Sequence, residues 1–140
     1  MTYLPRDFVI TAERLIFAVV DRFVDEPRIP CFLRYRQMPD GRTQKLSTDA
    51  ANALLRQSYP KYLYQCERRQ SALHGVSPDD VVRHLQPRPR VRHLLDAQAI
   101  NDPFEARAAR LVRALAEYGV ASNSVGITAA FPAVYGRARP

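Results

Sequence analysis

Between Arg83 and His93 the chain places Arg83, His84, Arg88, Arg90, Arg92 and His93, and no acidic residue occurs between Asp80 and Asp96. A guanidinium group carries a planar fork of donors that matches phosphate and carboxylate oxygens. A run this dense suits the holding of an anion. Pro87 and Pro89 flank Arg88, and proline fixes its own backbone and restricts the residue before it. The spacing therefore predicts Arg88 and Arg90 on a stiff extended segment, gripping phosphates at a small entropic cost and releasing them as salt rises. A solvated connection between two helices accounts for the same residues without a ligand. A second constellation is Arg34 and Arg36 alternating with Phe32, with Tyr62 and Tyr64 on another extended stretch. Cations interleaved with aromatic rings suit the stacking of single-stranded bases. The same aromatics serve equally well to pack a core.

Other chemistry has less support. His74, beside Gly75 in a stretch read as loop, fits a ligand-facing or acid–base group, or a histidine that satisfies nearby backbone. His74, His84 and His93 lack metal-ligand spacing, and there is no Cys-x-x-Cys or His-Glu-x-x-His string. No Gly-x-Ser-x-Gly elbow and no glycine-rich phosphate loop occur. Asp79 and Asp80 pair as carboxylates, but the start of a helix accounts for both. No catalytic residue, metal or cofactor is assigned.

The elements that must position these residues follow from periodicity. Phe8–Thr11 and Leu15–Val20 read as a hairpin. Ile29–Gln37 reads as a strand with Cys31, Leu33 and Tyr35 on one face and Phe32, Arg34 and Arg36 on the other. Thr43–Leu46 and Tyr62–Cys66 read as further strands, and Glu67–Gly75 as loop. Ser47 or Thr48 caps a helix that Pro60 stops. Ser77-Pro78-Asp79-Asp80 predicts a helix running to about Leu85, and Val91–Ala97 a second short one. Asp102, Pro103 and Glu105 open a helix over Pro103–Tyr118 that Gly119 closes, with Phe104, Ala108, Leu111, Val112, Leu115 and Tyr118 as its apolar stripe. Gln98–Asp102 reads as a linker, Val125–Thr128 as a last strand and Tyr135–Pro140 as a frayed end.

Strands crowd the first half and helices the second, which predicts an α+β fold: a small antiparallel sheet from the N-terminal half, packed with helices from the C-terminal half. A length of 140 residues fits one domain, read as 1–128 with a frayed or degenerate tail over 129–140. Every one of the 21 basic residues except Lys45 and Lys61 is arginine, and the net charge is +7, which favours anionic partners such as RNA or a nucleotide. Two separated cysteines, Cys31 and Cys66, and an N-terminal stretch with no apolar core predict a cytoplasmic protein with reduced thiols and no membrane span.

Several strings taken in order carry a resemblance. They are Asp7-Phe8-Val9, Leu15–Val20, Arg28–Tyr35, Tyr59-Pro60-Lys61-Tyr62, His74-Gly75-Val76, His84–Arg88 and Gly126-Ile127-Thr128. In this order the chain, from about Arg6 to Thr128, resembles the N-terminal part of a family of predicted nucleotidyltransferases of the DNA polymerase β-like superfamily. In that family the last string continues as Gly-Ser, and an Asp-x-Asp pair follows to hold a catalytic metal. Here Ala129 and Ala130 stand in place of Gly-Ser, and no acid follows Glu117. The resemblance therefore implies an accessory domain without the catalytic carboxylates.

Together these features predict a non-catalytic domain that binds a nucleotide or RNA-like anion through Arg83, Arg88, Arg90 and Arg92, with His74, His84, Arg34 and Arg36 contributing. The alternative is a protein–protein module that dimerises or pairs with a separate catalytic subunit through the apolar face of Pro103–Tyr118. A third reading, an enzyme of another type, hangs on His74 alone.

Overall fold

The β1 strand Phe8–Thr11 and the β2 strand Leu15–Val19 pair antiparallel as a hairpin. The Arg14 N–H donates to Thr11 O at 2.9 Å, and Arg14 adopts φ +65°, the left-handed turn-closing conformation usually left to glycine. The computed structural model describes residues 2–23, 26–96, 103–122 and 126, apart from the side chains of Arg90, His93 and Phe104.

The β3 strand, Ile29–Gln37, lies antiparallel to β2 but not in unbroken register. Phe17 faces Leu33, whereas Ile16 faces Tyr35, so Arg34 is an extra residue. A bulge of this kind shifts the side-chain alternation by one. The predicted faces of β3 therefore hold only up to Leu33. Beyond the bulge Tyr35 shares the face of Ile16, with its ring 6.3 Å from that of Phe8, and Arg36 comes opposite the core residue Leu15.

The remaining strands complete a seven-stranded antiparallel sheet of order β5-β6-β3-β2-β1-β7, with β4 (Thr43–Lys45) paired to the far half of β3. Two predictions are corrected here. Glu67–Gly75 is not loop: β5 (Leu63–Cys66) turns through Glu67–Gln70 into β6 (Ser71–Val76). The sequence of β6, with serine, alanine, histidine and glycine, has little strand propensity. Hydrogen bonding to β5 on one side and β3 on the other decides its conformation. Nor does Ser77 start an α-helix. It caps a single 3-10 turn, Pro78–Asp80, after which Val81–Leu85 forms β7 beside β1. The same Ser-Pro-Asp chemistry opens either kind of helix, and the β-branched Val81 and Val82 join the sheet instead.

The α1 helix, Thr48–Ser58, is capped as predicted by Ser47, whose hydroxyl accepts from the Ala50 N–H at 3.1 Å. Its Ala51 and Leu55 join Val9, Leu15, Phe17, Leu33 and Tyr62 in the buried core. Pro60–Tyr62 is a short 3-10 turn leading into β5. The architecture is α+β, as the segregation of strands and helices predicts.

The chain divides into two compact units, the first ending at His84 and the second beginning at Leu85. The second holds α2 (Pro87–Asp96) and α3 (Pro103–Glu117), which pack together and bury Val91, Leu94, Ala109 and Val112. The α3 helix ends in a Schellman motif: Gly119, at φ +88°, donates to Ala116 O and Val120 donates to Leu115 O. Gly119 closes the helix as predicted. The predicted apolar stripe does not hold in full, because Leu111 and Tyr118 are exposed. The linker Gln98–Asp102, the tail 129–140 and, except for Gly126, the strand Val125–Thr128 lie outside the described residues. Among the described residues no helix is long and apolar enough to cross a membrane.

Candidate functional site

The α2 helix begins at Pro87, four residues before the predicted start, so Arg88 and Arg90 do not lie on an extended segment. The first N–H groups of a helix have no intrahelical acceptor, and prolines in the first turn therefore cost it no hydrogen bond. Helical geometry changes which residues act together. Arg88, Arg92 and Asp96 recur every four residues, which sets them along one face. Val91 and Leu94 point to the other side and are buried. Arg88 and Arg92 are exposed and line an open depression of about 400 Å³ with Pro89, Leu95, Asp96 and Ser122. Two guanidiniums one turn apart, with the apolar Pro89 and Leu95 in the same lining, suit a phosphate attached to a partly apolar group. Gly126 lies against the start of this helix. A Cβ there would meet Pro87 Cβ at 2.7 Å, so no side chain fits. The side chains of Arg90 and His93 lie outside the described residues.

The other predicted residues belong to the first unit. Arg83 is exposed on β7 next to Val82. His84 is engaged in a largely buried pair, with Nε2 2.6 Å from Asp7 Oδ2 and its ring 4.6 Å from that of Tyr3. Asp7 Oδ2 also accepts from the Leu4 N–H at 3.1 Å. His74 is buried as well. Its Nδ1 accepts from the Leu33 N–H at 2.8 Å, and its Nε2 lies 2.7 Å from Asn52 Oδ1 on α1. With Nδ1 accepting, the proton sits on Nε2 and is donated to Asn52, which defines a neutral tautomer. Burial, reinforced by the nearby Arg34 charge, lowers the His74 pKa to about 4. This is the arrangement of a histidine that satisfies backbone.

The predicted stacking surface is not assembled. The Arg34 guanidinium lies over Phe32, 5.4 Å from the ring centroid, and the bulge turns Arg36 to the opposite face. Tyr62 is buried, and Tyr64 is covered by the Arg28 guanidinium at 5.5 Å.

A polar cluster that periodicity does not reveal sits where the β1–β2 turn meets the turn before β5. The Tyr62 hydroxyl donates to Glu13 Oε1 at 2.6 Å, and Lys61 Nζ lies 3.3 Å from Glu13 Oε2. Burial alone would raise the Glu13 pKa, but the Tyr62 hydroxyl, its own backbone amide and Lys61 hold it at about 2. Burial and the bond to Glu13 push Tyr62 up to about 12. Both are locked far from neutrality, so the cluster ties two turns together and does not exchange protons near pH 7. Among the described residues no group of three or more histidine, cysteine or acidic side chains converges as a metal site. No family model, no curated protein and no solved structure matches the chain.

Proposed function

We propose that this chain is a non-catalytic binding domain that holds a nucleotide or RNA-like anion on the exposed face of α2. The observation that carries the reading is that Arg88 and Arg92, one helical turn apart, line the same depression. The net charge of +7 and the arginine-rich α2 support it. So does the resemblance of the ordered strings to the N-terminal part of the predicted nucleotidyltransferases, in which such a domain would accompany a catalytic part. Asp96 and Ser122 supply an acceptor and a hydroxyl beside the two cations. An acceptor and a hydroxyl at this depression suit hydrogen bonds to the uncharged portion of a ligand such as a sugar. On this reading the chain works in the cytoplasm, with the buried Cys31 and Cys66 as thiols.

The test is fluorescence anisotropy with a labelled oligoribonucleotide and, separately, a labelled mononucleotide, at low and at moderate salt. The expected result is binding that weakens steeply with salt, and a salt slope that drops by about one for each of Arg88→Ala and Arg92→Ala. Absence of binding at low salt, or binding indifferent to both substitutions, rejects the reading.

A further inference from the structure

The α3 helix buries one side and leaves a patterned row on the other. Arg107, Leu111 and Ala114, with Tyr118 in the turn that directly follows the helix, recur at spacings of four, three and four, and all four are exposed. Leu111 is 61% and Tyr118 87% exposed, and Ala109 and Val112 on the opposite side are buried. A four-three-four row is the spacing of a coiled-coil seam. One exposed leucine needs no explanation, but a leucine, an alanine and a tyrosine in seam spacing form a surface. We propose that this row is the seam of a two-fold dimer in which α3 of one chain packs antiparallel against α3 of a second copy.

The charges beside the row select both the partner and its direction. Arg110 and Glu117 each occupy the position just before a seam residue, Leu111 and Tyr118 respectively, so they lie along the same flank. In an antiparallel pair the equivalent flanks of the two helices face each other. Arg110 of each copy then meets Glu117 of the other, giving two ion pairs by symmetry. Leu111 faces Ala114 across the seam, and Arg107 faces the ring of Tyr118, an arrangement that suits a cation over an aromatic face. A parallel pair would stack Arg107 on Arg107 and set Arg110 and Glu117 against the uncharged flank carrying Ala108 and Leu115. The self-complementary pattern thus favours a second copy of this chain over an unrelated partner. A seam of four side chains along a helix about 22 Å long buries less than the roughly 800 Å² per partner of a standard interface, so the dimer is weak and depends on concentration. This inference is independent of anion binding by α2.

Sedimentation equilibrium from micromolar to millimolar concentration tests it, with circular dichroism to verify that each variant stays folded. The expected result is a monomer–dimer equilibrium that Leu111→Glu abolishes and that Arg110→Glu or Glu117→Arg each weakens by about tenfold or more. Combining the two charge reversals restores the dimer, which no general loss of structure would do. A chain that stays monomeric throughout, a dimer indifferent to Leu111→Glu, or single reversals that the double variant does not rescue would each overturn the proposal. So would a monomer in which Arg107, Arg110 and Tyr118 instead prove necessary for binding an oligonucleotide.

Discussion

His74 Nδ1 accepts a hydrogen bond from the backbone N–H of Leu33 at a place where the sheet itself supplies no partner. Along that edge of β3, Ile29–Cys31 pairs with β6, and Tyr35–Gln37 pairs with β4. Leu33 falls in the gap between them, and the imidazole fills the missing position in the ladder. Its other nitrogen reaches Asn52 on α1, so one ring joins two strands and a helix. Buried backbone donors left without partners are costly, which explains a histidine at this point without invoking catalysis.

Acid should therefore act on His74. Its pKa falls from 6.5 in the unfolded chain to about 4 in the fold, so the unfolded chain binds the extra proton first. The contribution is intact above about pH 6.5 and is lost progressively as pH falls towards 4, reaching about 3 kcal/mol. His74→Phe keeps the volume but strands the Leu33 N–H and the Asn52 carbonyl, at a cost of about 2–4 kcal/mol at pH 7. Urea denaturation of both proteins at several pH values checks this. The variant should lack the part of the pH dependence that the parent shows between 6.5 and 4.

Gly75 packs under the side chain of Tyr64, and an added Cβ would lie 2.8–2.9 Å from Tyr64 Cδ1, Cβ and Cγ. Because Tyr64 Cβ is tied to the β5 backbone, it cannot swing aside. Gly75→Ala should lower stability by about 1–3 kcal/mol. In the Tyr64→Ala background the same substitution should cost less. A double-mutant cycle by thermal or chemical denaturation measures that coupling.

Arg14 closes the β1–β2 turn at φ +65°, where a Cβ is disfavoured. Arg14→Gly should be neutral to stabilising by up to about 1 kcal/mol, since the relief of strain exceeds glycine's loss of chain entropy. Arg14→Val should destabilise the protein, because β-branching makes this backbone harder to reach. Denaturation midpoints of the pair give the order; a valine variant as stable as the glycine variant would contradict it.

Arg69 holds Glu26 with two contacts of 2.8 and 3.0 Å, reaches Asp21 at 2.8 Å and touches Cys66 Sγ at 3.3 Å. The Glu26 side chain is almost wholly buried. Arg69→Ala removes both short contacts to that carboxylate, leaving among the described residues the longer one to Arg68 at 3.6 Å, and should cost about 3 kcal/mol. Arg69→Lys should recover little, since an ammonium cannot span both acids as the guanidinium does. Equal stability of the lysine variant and the parent would argue against that geometry.

Local chemistry was sufficient where each element's own residues carry its instruction. The β1–β2 hairpin, the Ser47 cap of α1, the length of β3 and the Gly119 stop of α3 all follow from short-range propensity, periodicity and capping, and so does the α+β class. What the sequence alone could not decide depends on partners far along the chain. The β6 strand is extended because two neighbours hydrogen-bond to it, and β7 because β1 offers an edge. Arg34 bulges because of its pairing with β2, which sends Tyr35 and Arg36 to faces opposite to those that alternation assigns. For the candidate site, the density of arginine was legible, whereas the grouping of Arg88 and Arg92 with Asp96 and Ser122 waited on where α2 begins. A backbone-satisfying role for His74 was legible in the sequence, but its partners Leu33 and Asn52, and the partner Asp7 of His84, come from distant segments. Propensity acts over a few residues, but hydrogen-bond pairing and burial are settled between segments tens of residues apart, and only the tertiary structure brings those segments together.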